Sequence, residues 1–261
     1  FGDKIIRKSH PIEEYPELTV LSLFCGRWPL LGFYLRNLDF LDYPKEKINL
    51  ILFCTSPDNY FRDSLKSIAK SLRRKGYGSV RFVNGDSTLT SSLTMSEKSG
   101  PVSMHLEGIS IAYREAFKLV DTDLCFSVED DEVIPSHSLK KLLCYFGDQN
   151  TACASGIAKG RHGEGFVAFD FFINESGSIF GIPIERRKML NSSLVGSGGL
   201  GCTLLRMSDI KSINISHSLQ DVPGISGCDV TMGYQLNKLG RYVIVDWDVY
   251  AYHIDSKGII N

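Results

Sequence analysis

The sequence predicts an α/β domain with a mostly parallel central sheet flanked by helices, joined to a second half rich in glycine. Three observations carry this. Short apolar runs alternate with segments of helical periodicity through the first half of the chain. Those runs are nearly continuous, as strands covered on both faces of a parallel sheet must be. From Gly156 to Gly201, ten glycines punctuate aromatic stretches. At 261 residues the chain can bury its own core, and one domain over 1–261 is expected, with no internal repeat.

Leu18–Phe24 reads as a buried strand, 28–41 as a helix interrupted near Gly32, and Ile48–Cys54 as a second strand. Phe61, Leu65, Ile68, Ala69 and Leu72 then form one apolar helical stripe, closed by Gly76 and Gly78. A third strand at 80–83 precedes a polar loop at 88–101. Leu106, Ile109, Tyr113, Ala116, Phe117 and Val120 make the next helical face, leading into the strand Leu124–Val128. Beyond Cys153, bent strands and loops are expected, including the aromatic stretch 166–172. Helical periodicity returns over 229–239 and stops at Gly240.

Hydrophobic residues make up 43% and charged residues 23%, with a formal net charge of -1. There is no basic footprint for nucleic acid. No apolar run reaches the roughly 18 residues of a spanning helix, and 1–17 has no signal core, so no membrane span is expected. The expected compartment is the cytoplasm. Asn-x-Ser sequons at Asn174, Asn191 and Asn214 suit instead a secretory lumen, with an anchor preceding Phe1. The seven cysteines lack a CxxC pair and read as buried reduced thiols.

Glu129-Asp130-Asp131-Glu132 stands at the end of the strand Leu124–Val128. Four adjacent carboxylates repel, so that position asks for something positive. A hard divalent cation, Mn2+ or Mg2+, prefers such oxygen ligands. A solvated acidic turn is the alternative.

A strand, an acidic triplet, then Pro135 and a helix resembles the metal-binding DxD region of GT-A glycosyltransferases, particularly the inverting group that includes dolichol-phosphate mannose synthases. The resemblance runs over 18–253 and implies a Rossmann-like GT-A fold, with 18–131 binding nucleotide sugar and 132–255 the acceptor. It implies that Glu129 approaches the donor ribose and that Asp131 ligates the metal, with Asp130 as the other candidate ligand. Phe24, Gly26 and Arg27 match the first nucleotide loop, and Arg27 would neutralise donor phosphate. Ser56 and Asp58, after the second strand, would contact the nucleoside. A literal DxD at Asp121-Thr122-Asp123 precedes its strand, at the wrong sheet end, and is read as a decoy turn.

The segment 196–201 with Leu204-Leu205-Arg206 resembles the acceptor-side glycine-rich region. Gly227-Cys228-Asp229 resembles the place where inverting members carry a Glu-Asp pair, which would make Asp229 the general base; Cys228 departs from that pattern, and Asp229 could instead cap a helix. His253 resembles the late histidine that completes some GT-A metal sites. Arg186, Arg187 and Lys188 read first as surface charge, with closure over the diphosphate as the alternative, and a loop within 172–201 would order on donor binding. The processive QxxRW signature is absent, which favours single-sugar addition. The implied activity is metal-dependent transfer from a UDP- or GDP-sugar to a glycan, lipid or protein acceptor, with inversion. Its rivals are a nucleotidylyltransferase, whose GxGxR loop is missing here, and a non-catalytic sugar- or nucleotide-binding module.

Overall fold

Apolar runs become strands here because successive side chains enter two different cores. In β1 (Leu18–Phe24), Leu18, Val20 and Phe24 join one core and Leu21 the other; in β2 (Ile48–Cys54), Leu50, Leu52 and Cys54 oppose Ile51 and Phe53. The computed structural model describes residues 14–89, 102–158, 168–173, 179–183 and 191–254. β3 (Ser79–Asn84), β2, β1 and β4 (Leu124–Val128) lie side by side and parallel.

Helices cover both faces of this sheet. α1 (Trp28–Phe40) packs Leu31, Tyr34 and Leu38 into the first core, and α2 (Asn59–Arg73) adds Phe61, Leu65 and Leu72. α3 (Val102–Phe117) contributes Tyr113, Ala116 and Phe117 to the second. α2 begins at Asp58, whose carboxylate accepts the Tyr60 N–H at 2.8 Å. The expected interruption near Gly32 does not occur. α1 is continuous, since Pro29 is at its permissive start and Gly32 faces open space.

The remaining elements are β5 (Glu132–Val133), α4 (Ser138–Leu143), β6 (Thr151–Ala158), β7 (Ala168–Ile173), β8 (Ile179–Pro183) and β9 (Ser192–Leu194). There follow β10 (Ser197–Gly198), β11 (Cys202–Arg206), α5 (Met207–Ile210), β12 (Ser218–Leu219), β13 (Val222–Ser226), α6 (Cys228–Lys238) and β14 (Tyr242–His253). β11 inserts antiparallel between β4 and β6, β14 runs parallel to β6, and β5 and β9 pair antiparallel with β14. The sheet is thus parallel in its first half and mixed in its second. Strands β10, β7 and β8 form a small antiparallel sheet, whose Phe169 and Phe171 pack with Val222, Ile225 and Val230.

None of the seven cysteines forms a disulfide. Five are buried as expected, whereas Cys25 and Cys144, outside the strands, are half-buried. No helix among the described residues is long and apolar enough to cross a membrane. Arg186, Arg187, Lys188, the sequon at Asn174 and most of the 88–101 loop lie outside the described residues.

Candidate active site

The parallel strands end in loops, and at such carboxyl ends open α/β sheets bind their ligands. β4 ends in the acidic run, which makes a tight turn with the Glu132 N–H directed at the Glu129 carbonyl, 3.4 Å away. The turn divides the four side chains. Asp130 and Asp131, each 1% exposed, face Arg27, whose guanidinium donates to Asp130 Oδ1 and, at 2.6 Å, to Asp131 Oδ2. Burial works against the charge on Arg27, but the two aspartates outweigh it and raise its pKa well above the usual value.

Glu129 and Glu132 turn the other way. The Glu129 N–H donates to the Gly201 carbonyl at 3.0 Å, and its Oε1 accepts the Tyr113 hydroxyl at 3.1 Å. Asn37, buried on α1, brackets β5 by donating to the Glu132 carbonyl at 2.6 Å and accepting the Ile134 N–H at 3.3 Å. Antiparallel pairing of β5 with β14 sets His253 opposite Glu132, with Nε2 3.1 Å from Oε1. Burial pushes the Glu132 carboxyl up, and His253 partly offsets this. A side chain at Gly201 would overlap the Glu132 carboxylate, so this glycine makes the space that Glu132 occupies.

Asp229 lines the same pocket from the first turn of α6, together with Glu129, Glu132, His253 and residues 199–202. Gly227, and not Asp229, is the N-cap of that helix. The Ser197 hydroxyl donates to the Asp229 carbonyl at 2.8 Å, and Asp229 Oδ1 accepts the Val230 N–H at 2.9 Å. Desolvation raises the Asp229 carboxyl to about 6, opposed by the Val230 N–H and reinforced by Glu129.

The amino-acid sequence matches no family model. It matches no curated protein either. Solved structures do resemble it. A mannosyltransferase from Pyrobaculum calidifontis, PcManGT, in complex with GDP-Man and Mn2+, superposes with a TM-score of 0.60 at 10% identity, over 93% of this chain and 58% of that one. GalNAc-T7 with UDP, GalNAc and Mn2+ gives 0.60 at 11%, over 94% and 45%. TarS from S. aureus gives 0.55 at 14%, over 90% and 60%. The fold is that of the GT-A glycosyltransferases. The chain spans less than two thirds of the length of each of these structures.

Within this GT-A fold the expected site residues separate into two groups. Glu129, His253 and Asp229 share the pocket, joined by Glu132. Asp130 and Asp131 are engaged with Arg27 and are not grouped with His253. Among the described residues, the side chains able to hold a metal together are Glu129, Glu132 and His253, with ligand atoms within 4.8 Å of one another. They suit a divalent cation: two carboxylates and an imidazole converge, and Glu132 Oε2 is buried without a hydrogen-bond partner.

Phe24 and Ser56 turn inward, and Asp58 is bonded within its own loop. Phe24 is not available to a donor, because strand alternation buries it against Tyr34 and Phe61. Ser56 is fully buried beneath Gly26, with its hydroxyl accepting the Asp58 N–H at 3.1 Å. Asp58 caps α2 and accepts the Trp28 indole N–H at 2.9 Å, a bond that lowers its pKa. Leu204, Leu205 and Arg206 belong to β11, where both leucines are core residues and not an acceptor surface. The turn at Asp121-Thr122-Asp123 lies before β4, and its Asp121 is an exposed partner of Arg81. Tyr113 and Asn37, which orient Glu129 and Glu132, were hidden in apolar helical faces. Their one signal is a polar group within such a stripe.

Proposed function

We propose that the chain is a divalent-metal-dependent glycosyltransferase that moves one sugar from a UDP- or GDP-sugar to an acceptor hydroxyl with inversion. The observation that carries this reading is that Asp229 shares one pocket with the Glu129, Glu132 and His253 group. The fold supports it, as do the GDP-Man and Mn2+ of the mannosyltransferase and the UDP-GlcNAc of TarS. In this reading 18–131 serves the donor and 132–255 the acceptor.

Glu129, Glu132 and His253 would hold the ion, with Asp130 and Asp131 behind them. When bound, the ion supplies positive charge that stabilises the departing diphosphate. An imidazole among the ligands favours Mn2+ over Mg2+, which takes oxygen almost exclusively. The acceptor oxygen bonds to the anomeric carbon as the bond from that carbon to the diphosphate oxygen breaks, its electron pair leaving with the diphosphate. The acceptor proton passes to the Asp229 carboxylate. A pKa of about 6 keeps that carboxylate ionised near neutrality while leaving it a stronger base than an exposed aspartate.

Asp229→Asn tests the assignment. It keeps shape and the contact to the Val230 N–H, so the protein should fold and retain Mn2+ and nucleotide, yet lose transfer by about 10² to 10⁴. Near-normal turnover would remove Asp229 as the base, and an NMR spectrum of the product with the donor's anomeric configuration would remove inversion.

A further inference from the structure

The four carboxylates of the acidic turn do not act as one set. Glu129 and Glu132 line the pocket beside His253, while Asp130 and Asp131 are taken by the two terminal nitrogens of Arg27. A guanidinium can bridge two carboxylates in this way because its donors form a rigid planar fork. A divalent ion makes the same demand, for carboxylate oxygens converging on one point. Arg27 therefore sits where a second cation would otherwise be drawn. It keeps its proton under all ordinary conditions, and the chain on both sides holds it in place. Gly26, at φ +102°, lets the loop press onto Ser56, and Trp28 is fixed on Asp58.

We infer that Arg27 is a specificity-determining residue for the metal: a resident organic cation that keeps divalent ions off Asp130 and Asp131 and confines them to Glu129, Glu132 and His253. The confinement rests on the metal reading given above, whereas the exclusion rests on the Arg27 geometry alone. The acidic turn is then a one-ion centre whose second cation is built into the chain.

The test counts bound Mn2+ by electron paramagnetic resonance during titration of the whole chain without nucleotide. Arg27→Met, which keeps the stem and removes the charge, should bind one ion more than the unsubstituted protein. Adding Asp130→Asn and Asp131→Asn to it should remove that additional ion. Arg27→Lys, a point charge that cannot fork, should bind the additional ion more weakly than Arg27→Met does. Equal counts for Arg27→Met and the unsubstituted chain overturn the inference. If Arg27→Met is unfolded in chelator, Mn2+ should restore a cooperative melt by binding the folded state, and failure to restore it overturns the inference equally. His253→Ala separates the two readings. Loss of one ion there supports the pocket site; an unchanged count removes the pocket site and leaves Arg27 to be judged on Arg27→Met.

Discussion

The two halves of the sheet use their polar residues differently. In the parallel half the loops after the strands bond to one another: Ser56 lies under Gly26, Trp28 donates to Asp58, and Arg27 reaches Asp130 and Asp131. In the mixed half, β5, β14 and the glycine segment before β11 bring Glu132, His253 and Gly201 to one pocket, and α6 adds Asp229. One half closes on itself as a scaffold, and the other leaves carboxylates facing a space that a ligand can fill. Arg27 aside, whose charge bears on the ion count, substitutions in the loops of the first should register chiefly in stability, and those in the second in metal binding or turnover.

The largest effect belongs to the mixed half. Glu132→Gln or His253→Ala should lower Mn2+-dependent turnover at least about a hundredfold, because leaving-group stabilisation of several kcal/mol departs with the ion. Unchanged kinetics in a folded variant would mean that Glu132 and His253 do not hold an ion that turnover needs. Next comes pH. With Asp229 raised to about 6, turnover should fall about tenfold per unit below that value, and Asp229→Asn should lack this limb. The same shift acts on stability with opposite sense. The folded state holds this proton more tightly than the unfolded chain, so the contribution is greatest below about pH 4 and is lost as pH rises through about 6. Urea midpoints across that window should show a slope that Asp229→Asn removes.

A smaller effect sits where the halves meet. Asn37→Leu leaves the Glu132 carbonyl and the Ile134 N–H without this partner and should cost about 1–3 kcal/mol in chemical denaturation, with weaker Mn2+ binding as Glu132 loosens. The smallest lies in the scaffold alone. Gly32→Ala, whose new methyl meets open space on α1, should stabilise by about 0.5–1 kcal/mol and leave turnover unchanged.

Much of the parallel half is legible in the sequence because its signals are local. The alternation of Leu18, Val20 and Leu21 between faces, or the stripe from Phe61 to Leu72, needs no knowledge of distant partners. The acidic run is visible too, as carboxylates at a strand end. Its division is not, because the direction each side chain takes depends on pairings between remote segments. His253 meets Glu132 through the register of β5 on β14, and Asp130 meets Arg27 across two strand ends. Asn37 and Tyr113 leave a fainter trace, since helical periodicity treats a tyrosine as one more apolar residue and passes over an asparagine.

The irregularity in β14 bears on how this chain tolerates changes in length. Val245 stands opposite Ser155 and Tyr250 opposite Ile157, so β14 carries more chain than β6 across that interval. Slack of this kind is confined to the exposed Asp248, because Asp246 pairs with Ser192 on β9 and accepts the Tyr145 hydroxyl, and Trp247 and Val249 are buried. From Tyr250 to His253 there is no such slack, and a change of one residue would turn the imidazole to the opposite face of the strand. Drift in length thus has room only around Asp248, and none over the last few residues that deliver His253 to Glu132.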